Sequence, residues 1–367
     1  MEDILYWLWM SDVLGQGSPS TGIALARYGG ARDFYNQMRA GLRPDFMSRA
    51  AMTRARELEP ADLSGRLADC EAIGAAILTP EDPDYPRRLR GLPDLPLVLY
   101  VTGRTDCLNG RRYVSMVGTR RPTPYGRRAC GEISRALAEQ GVVLISGLAD
   151  GLDGEAHKAA VDCGAETIAF LGTGIDKTYP AANAPLREEI ERLGGAVVSE
   201  YPPGFSGKMQ GTFLARNRLI AGMGEVLCVC EASLRSGTIN TVGHAEHYGR
   251  LVMAVPGSIF SRASEGTNAL LADGRAHILR SAGDVEQLLG LASGADLWQN
   301  DPGDSELPDL SPTARKVLEV LGPDPMYLED ICRAAQLPAA QVLAAYTELE
   351  LAGAAVPGPG RSLAAAR

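Results

Sequence analysis

Between Cys107 and Gly131 the chain carries six arginines (Arg111, Arg112, Arg120, Arg121, Arg127 and Arg128) and no acidic residue. Guanidinium forks make paired, directional hydrogen bonds to phosphate oxygens, so this density points to a polyanion. At its centre Gly118, Thr119 and Arg120 follow an apolar run, and Thr123 and Pro124 read as a cap and a first helical residue. A strand, a glycine turn and a helix in that order aim backbone N–H groups and the positive helix end at whatever sits above the strand.

Four more loops share that character. Residues 146–153 hold Ser146, Gly147 and Gly151 and lead into a helix expected to be capped by Asp153; residues 172–180 hold Lys177. Residues 213–218 hold Arg216, Asn217 and Arg218, and residues 231–238 hold Ser236, Gly237 and Thr238. Glycine lets backbone approach a ligand closely. The N–H groups of Gly118, Thr119, Gly147, Ser236 and Gly237 are therefore expected to cradle successive phosphates, with Arg120, Arg216 and Arg218 supplying charge. A plainer reading stands beside this one: glycine turns close many strands, and Arg216 and Arg218 could bridge acids on neighbouring elements. Residues 172–178 lack the GxxxxGK[ST] spacing, and Asp176 precedes Lys177 where it would repel phosphate. No GxGxxG joins a strand to a helix, which argues against a dinucleotide. No cofactor is expected.

These loops need a scaffold. Apolar strands are expected over 113–117, 142–146, 167–171, 196–199, 226–230 and 251–255. Helices fit between them over 125–140, 154–163, 185–193, 215–223 and 238–248. Short apolar strands alternating with helices imply an α/β fold with a mostly parallel sheet covered on both faces. Such sheets bind ligands at the carboxyl ends of the strands, beside the switch in strand order. Ahead of it, 1–75 reads as a compact module of short helices (4–14, 18–28, 32–39 and 45–58). The sheet domain takes 76–290. A Gly-, Asp- and Ser-rich linker follows over 291–310. Residues 311–367 give helices over 313–321, 328–335 and 339–353, with 357–361 as the wing of a winged helix. The last helix carries Glu348 and Glu350 and no Lys or Arg, so a protein-contacting or structural role is expected for it.

The formal net charge of −9 taken alone argues against nucleic acid. Distribution reverses that: residues 110–220 hold 14 Lys and Arg against 12 Asp and Glu, whereas 301–367 hold 5 against 10. No apolar run approaches the ~20 residues a membrane helix needs, and residues 1–5 lack a signal-peptide pattern; a cytoplasmic protein without membrane contact is expected. Seven cysteines without a CxxC pair read as buried thiols. His244 and His247 could share a helix face, but no metal site is expected.

Seven ordered motifs are similar to those of the DNA-processing protein A family (DprA/Smf). They are Val117-Gly-Thr-Arg120; 146–153 with His157; 172–176 with Tyr179, Pro180 and Asn183; 199–204; Arg216-Asn-Arg218 with Ala221 and Gly222; Glu231 with Ser236-Gly-Thr238; and 254–257. The resemblance implies an extended Rossmann-like sheet flanked by a sterile-alpha-motif-like module and a winged helix. It implies a protein, not an enzyme, that binds single-stranded DNA, protects incoming DNA in natural transformation and loads the RecA recombinase. It also implies a homodimer joined around 246–277, and a phosphate contact for Arg120. Thr119 stands for the usual serine and Leu214 for a proline. Ala181 and Ala184 stand where relatives carry a base, a place Lys177 or Arg187 could fill. Tyr179 and Phe213 are the best candidates for base stacking. One enzymatic alternative remains. The loop 236–241 is similar to that of nucleoside-monophosphate phosphoribohydrolases, which would need Glu231 or Glu200 beside a ribose.

Overall fold

The computed structural model describes residues 2–205, 209–290, 310–322, 325–352, 354–358 and 362–365. The chain divides into two compact units, Met1–Gly294 and Ala295–Arg367.

The first unit opens with α1 (Glu2–Leu14), α2 (Ser20–Tyr28), α3 (Ala31–Arg39), α4 (Arg49–Glu57) and α5 (Gly65–Ala72). The fifth was not expected; it buries only Cys70, so its sequence shows little apolar period. These helices do not close a core alone. Trp7, Leu8, Trp9 and Met10 of α1, none more than 3% exposed, share one cluster with Tyr100, Leu171 and Val197 of the sheet. Baring each such sheet residue would cost about 1.5–3 kcal/mol, so residues 1–75 and the sheet form one body.

The sheet has nine strands. They are β1 (Ala76–Leu78), β2 (Leu99–Gly103), β3 (Arg112–Val117), β4 (Val142–Ser146), β5 (Thr167–Gly174), β6 (Ala196–Tyr201), β7 (Val226–Val229), β8 (Leu251–Ala254) and β9 (His277–Ile278). The order is β1-β2-β6-β5-β4-β3-β7-β8-β9. All six expected strands are present and parallel; β1 and β2 add an antiparallel edge on β6, and β9 extends the far side. Between the strands lie α6 (Arg87–Arg90), α7 (Pro124–Glu139), α8 (Leu152–Asp162), α9 (Ala184–Arg192), α10 (Met209–Met223), α11 (Gly237–His247), α12 (Glu265–Ala272) and α13 (Ala282–Leu289). Alternation along β3 shows why both faces are covered. Tyr113 and Val117 join one core with Phe170 and Leu219, while Val114 and Met116 join the other with Cys130 and Leu152.

From β3 the chain builds β4, β5 and β6 to one side, then returns to place β7, β8 and β9 on the other. Strand order therefore reverses between β3 and β7, where their carboxyl ends leave a crevice.

His157 of α8 is fully buried, with Nδ1 2.8 Å from Thr167 Oγ1. Burial, aided by the nearby Arg216 charge, pulls its pKa down to about 3. The folded state thus holds imidazole neutral, whereas the unfolded chain protonates near 6.5. Stability is complete above pH 6.5 and is lost as pH falls from there toward 3, by up to about 1.4 kcal/mol per unit. Replacing His157 with Asn should flatten the acid limb of a urea-midpoint profile; an unchanged limb would assign acid sensitivity elsewhere.

The second unit contains α14 (Pro312–Val320), α15 (Leu328–Ala335) and α16 (Ala339–Leu351), with β10 (Met326–Tyr327), β11 (Ala355–Gly358) and β12 (Ser362–Ala365) in the order β10-β12-β11. This is a winged helix. Of the expected wing turn, 359–361 lie outside the described residues, as do Gly353 and the linker 291–310 apart from Leu310. Glu348 of α16 accepts hydrogen bonds from the Ser311 N–H and hydroxyl, both at 2.6 Å, tying α16 to the start of α14. Those bonds hold its pKa below the usual carboxylate range.

Candidate nucleic-acid interface

The crevice between β3 and β7 is laced by short hydrogen bonds. Thr119 N–H donates to Glu231 O at 2.8 Å, and the Thr238 hydroxyl to Gly118 O at 3.0 Å. Thr123 donates to the Glu231 carboxylate from its N–H (2.8 Å) and its hydroxyl (2.7 Å). The Thr123 Oγ1 in turn accepts from Gly126 N–H, the expected N-cap of α7. Ser236 caps α11 by accepting from Thr238 N–H. Gly237 is the first residue of α11, it is exposed, and no acid occupies that first turn. The positive end of an eleven-residue helix therefore faces the crevice.

A cleft of about 380 Å³ opens here, lined by Gly118, Thr119, Arg120, Arg121, Ser236, Gly237 and Thr238, with Asn217 and Arg216 beneath. Arg120 and Arg121 are exposed, and no carboxylate lies within ion-pair distance of either among the described residues. Arg216 is 3% exposed. Its Nη1 donates to Gly147 O at 2.7 Å and to Phe170 O. Burial lowers its pKa to about 10, with Asp153 opposing and Arg120 adding to the shift. It remains a cation at neutral pH, fixed in the floor of the cleft. Asp153 also lines the cleft, and burial raises its pKa against the pull of Arg216 and Arg120. Asp153 is not the helix cap that its place in the sequence suggests. The helix instead starts at Leu152, with Gly151 as N-cap, so Asp153 is turned into the site.

Phe213 and Tyr179 meet beside Arg120. Their ring centroids are 5.4 Å apart, and the Arg120 guanidinium lies over Phe213 at 5.5 Å. Tyr179 is 44% exposed, so a flat ledge adjoins the cationic cleft.

Other expectations need correcting. Arg218 is not on the rim. It is 1% exposed, its Nη2 donates to Glu200 at 2.6 Å, and its Nε lies 3.6 Å from Asp94. Burial opposes its charge most, yet the two carboxylates hold its pKa above the ordinary value. One helical residue pair explains the split: on α10 side chains at 216 and 218 are two apart and face different ways. Four of the six clustered arginines are also spent elsewhere. Arg111 pairs with Glu166, Arg112 with Glu225, Arg127 with Glu155 and Arg128 with Glu132. Arg111 and Arg112 stand at the amino end of β3, about 20–23 Å of extended chain from Gly118. Arg187 is engaged by Glu191, Thr102 and Ile175 O. Lys177 is exposed at the end of β5, where its Nζ donates to Phe205 O, and it does not line the cleft.

The glycines serve the loops more than an open approach. Ser146 and Gly147 are buried, the Ser146 hydroxyl donating to Met116 O at 2.6 Å. A Cβ on Gly147 would overlap Arg216, and one on Gly151, whose φ is +80°, would overlap the Thr119–Arg120 backbone. Gly151 thereby lets the loop after β4 press against the turn that carries Arg120. The glutamates required by the enzymatic alternative are committed too, Glu231 to Thr123 and Glu200 to Arg218, and neither lines the cleft. Among the described residues no cluster of His, Cys, Asp and Glu could hold a metal, and no helix is long and apolar enough to cross a membrane.

Residues 76–290 match the family model of DNA recombination-mediator protein A, and residues 301–361 match that of the DprA winged helix domain. The chain is 35% identical over 314 residues to protein Smf of Synechocystis sp., covering 77% of this chain and 78% of that protein. The X-ray structure of DNA processing protein A from Streptococcus pneumoniae superposes with a TM-score of 0.65 at 31% identity, covering 79% of this chain and 98% of that one. DNA processing protein A from Helicobacter pylori, which binds single-stranded DNA, superposes with a TM-score of 0.53 at 32% identity, covering 59% of this chain and 95% of that one. A match spanning the whole sheet domain, a matching winged helix and a similar solved fold lead to one statement: the chain belongs to the DNA recombination-mediator protein A (DprA/Smf) family.

Proposed function

We propose that this chain is a cytoplasmic homodimer that binds single-stranded DNA, protects incoming strands during natural transformation and loads the RecA recombinase onto them. The observation that carries the DNA reading is the α11 N-terminus opening beside Arg120 and Arg121, two exposed guanidinium groups with no acidic partner among the described residues. Backbone phosphates suit such a site, and a strand that needs no base reading is held with weak sequence preference. Gly118, Thr119, Arg120, Asn217 and Gly237 are the proposed contacts, with Arg216 acting from the cleft floor. Thr119 offers its hydroxyl, its N–H being spent on Glu231 O. Ser236 and Thr238 spend their N–H and hydroxyl donors on Ser233 O, Gly118 O and each other, and so shape the turn. The Phe213–Tyr179 ledge offers stacking to bases that a duplex keeps paired, which favours single strands. Delivery to RecA and dimerisation rest on family membership. The acidic α16 is assigned to protein contact or structure, since Glu348 already ties it to Ser311. No reaction is assigned to the cleft.

Affinities for a single-stranded oligonucleotide and its duplex, measured across a salt series, test this. Single strands should bind more tightly, with log K falling by roughly 0.7 per phosphate contacted for each decade of salt. Equal affinities, or release of free base from a nucleotide, would refute the reading. RecA assembly on strands coated with a single-strand-binding protein should speed up when the chain is added; no change would remove the loading role.

A further inference from the structure

The loops after β7 and β8 repeat one arrangement. Ser233 to Ser236 and Ser258 to Ser261 are tight turns, each closed by an N–H to O bond (3.1 and 3.0 Å). Each lifts apolar side chains into solvent: Leu234 is 57% exposed, Ile259 82% and Phe260 92%. Each also carries an exposed arginine, Arg235 and Arg262, with no carboxylate partner among the described residues. The first loop is tied to the helix that follows the second, since Gly266 N–H of α12 donates to Ala232 O at 2.7 Å. The Tyr125 hydroxyl, at the start of α7, fastens the second to the first part of the rim through Pro256 O at 2.6 Å.

Charge decides which way the rim continues. Beyond the cleft on the β4 and β5 side stand Asp150 and Asp176 against Lys177, whose Nζ is held by Phe205 O. On the β7 and β8 side stand Arg235 and Arg262 against Glu265. A polyanion leaving the cleft meets net negative charge one way and net positive charge the other. From the Tyr179 ledge at β5 to Phe260 at β8 is four strand spacings, about 19 Å. An aromatic ring at each end of a cationic centre is the layout of a single-strand track.

We propose that the single strand crosses the cleft and continues over the loops after β7 and β8, with Arg235 and Arg262 on its phosphates and Phe260 stacked on a base. The proposal rests on the reading of the cleft as a single-strand site and extends it to a second stacking position with a defined direction of exit. Phe260 and Arg262 make no side-chain hydrogen bonds or ion pairs among the described residues, so substitution there leaves the fold alone.

Fluorescent oligothymidylates from about four to about sixteen nucleotides are titrated against the full chain and its Phe260→Ala, Arg262→Ala and Arg120→Ala variants. Phe260→Ala should weaken binding about 5- to 100-fold for the long oligomers and not for the shortest. Arg262→Ala should lower the salt slope by about 0.7 on the same long oligomers only. If Arg120→Ala weakens binding while Phe260→Ala and Arg262→Ala match the parent at every length, this extension is wrong and the cleft reading survives. If the parent binds no single strand, both fall. Loss of self-association by Phe260→Ala with DNA binding intact would make the patch a protein contact and overturn the proposal.

Discussion

Glu200→Ala is expected to destabilise the sheet domain by about 3–5 kcal/mol, more than any single change on the rim. Glu200 is 3% exposed and Arg218 1% exposed. Of their polar atoms, Arg218 Nε and Nη1 and Glu200 Oε2 have no hydrogen-bond partner among the described residues. Coulomb attraction across the 2.6 Å contact therefore carries most of what offsets desolvation. Without Glu200 the guanidinium keeps, among the described carboxylates, Asp94 at 3.6 Å, and stays in a site it cannot leave. Removing both charges, as in Glu200→Leu with Arg218→Met, should restore most of the loss, because two apolar groups of similar volume need no counter-charge. Urea midpoints of the parent, single and double variants measure this. The double variant also decides the role of Arg218. If the residue is purely structural, single-strand affinity stays within about twofold of the parent, a few tenths of a kcal/mol. A stable double variant that has lost DNA binding would return Arg218 to the interface.

Arg120→Ala should weaken single-strand binding about 10- to 150-fold while leaving the unfolding midpoint nearly unchanged. The effect is large because Arg120 is exposed, has no carboxylate partner to leave among the described residues and is preset over Phe213. A guanidinium freed from ion pairs makes its full set of charge-assisted bonds to phosphate without first losing others. The salt slope should fall by about 0.7, one phosphate's worth. Arg111→Ala serves as the control, since that residue is paired with Glu166 at the far end of β3. If both substitutions change affinity alike, the positive charge acts diffusely and no site at the crevice is needed.

The parallel sheet was legible because its signal is local: apolar runs of strand length alternate with helical periods, and each of the six expected strands appears. The cap at Thr123 was legible for the same reason, since a cap bonds within three residues of itself, whereas the expected cap at Asp153 is not formed because the helix already starts at Leu152. The edges were not legible. β2 lies in a proline-rich stretch, β9 has two residues, and each becomes a strand only because a neighbour offers hydrogen-bonding groups. Phe260 gives no signal in the sequence because one aromatic in a turn has no period.

Residue types along this chain determined the architecture and the family, and pointed to Gly118, Thr119 and Arg120 as the centre of the cleft that the fold then forms. Which cations reach that cleft was decided by tertiary structure alone. Arg216 and Arg218 look alike in sequence, yet one floors the cleft and the other is locked to Glu200, because partners distant along the chain approach them from different sides of α10. Among the described residues, the fold brings the four neighbours of Arg120 and Arg121, and not these two, within reach of a carboxylate.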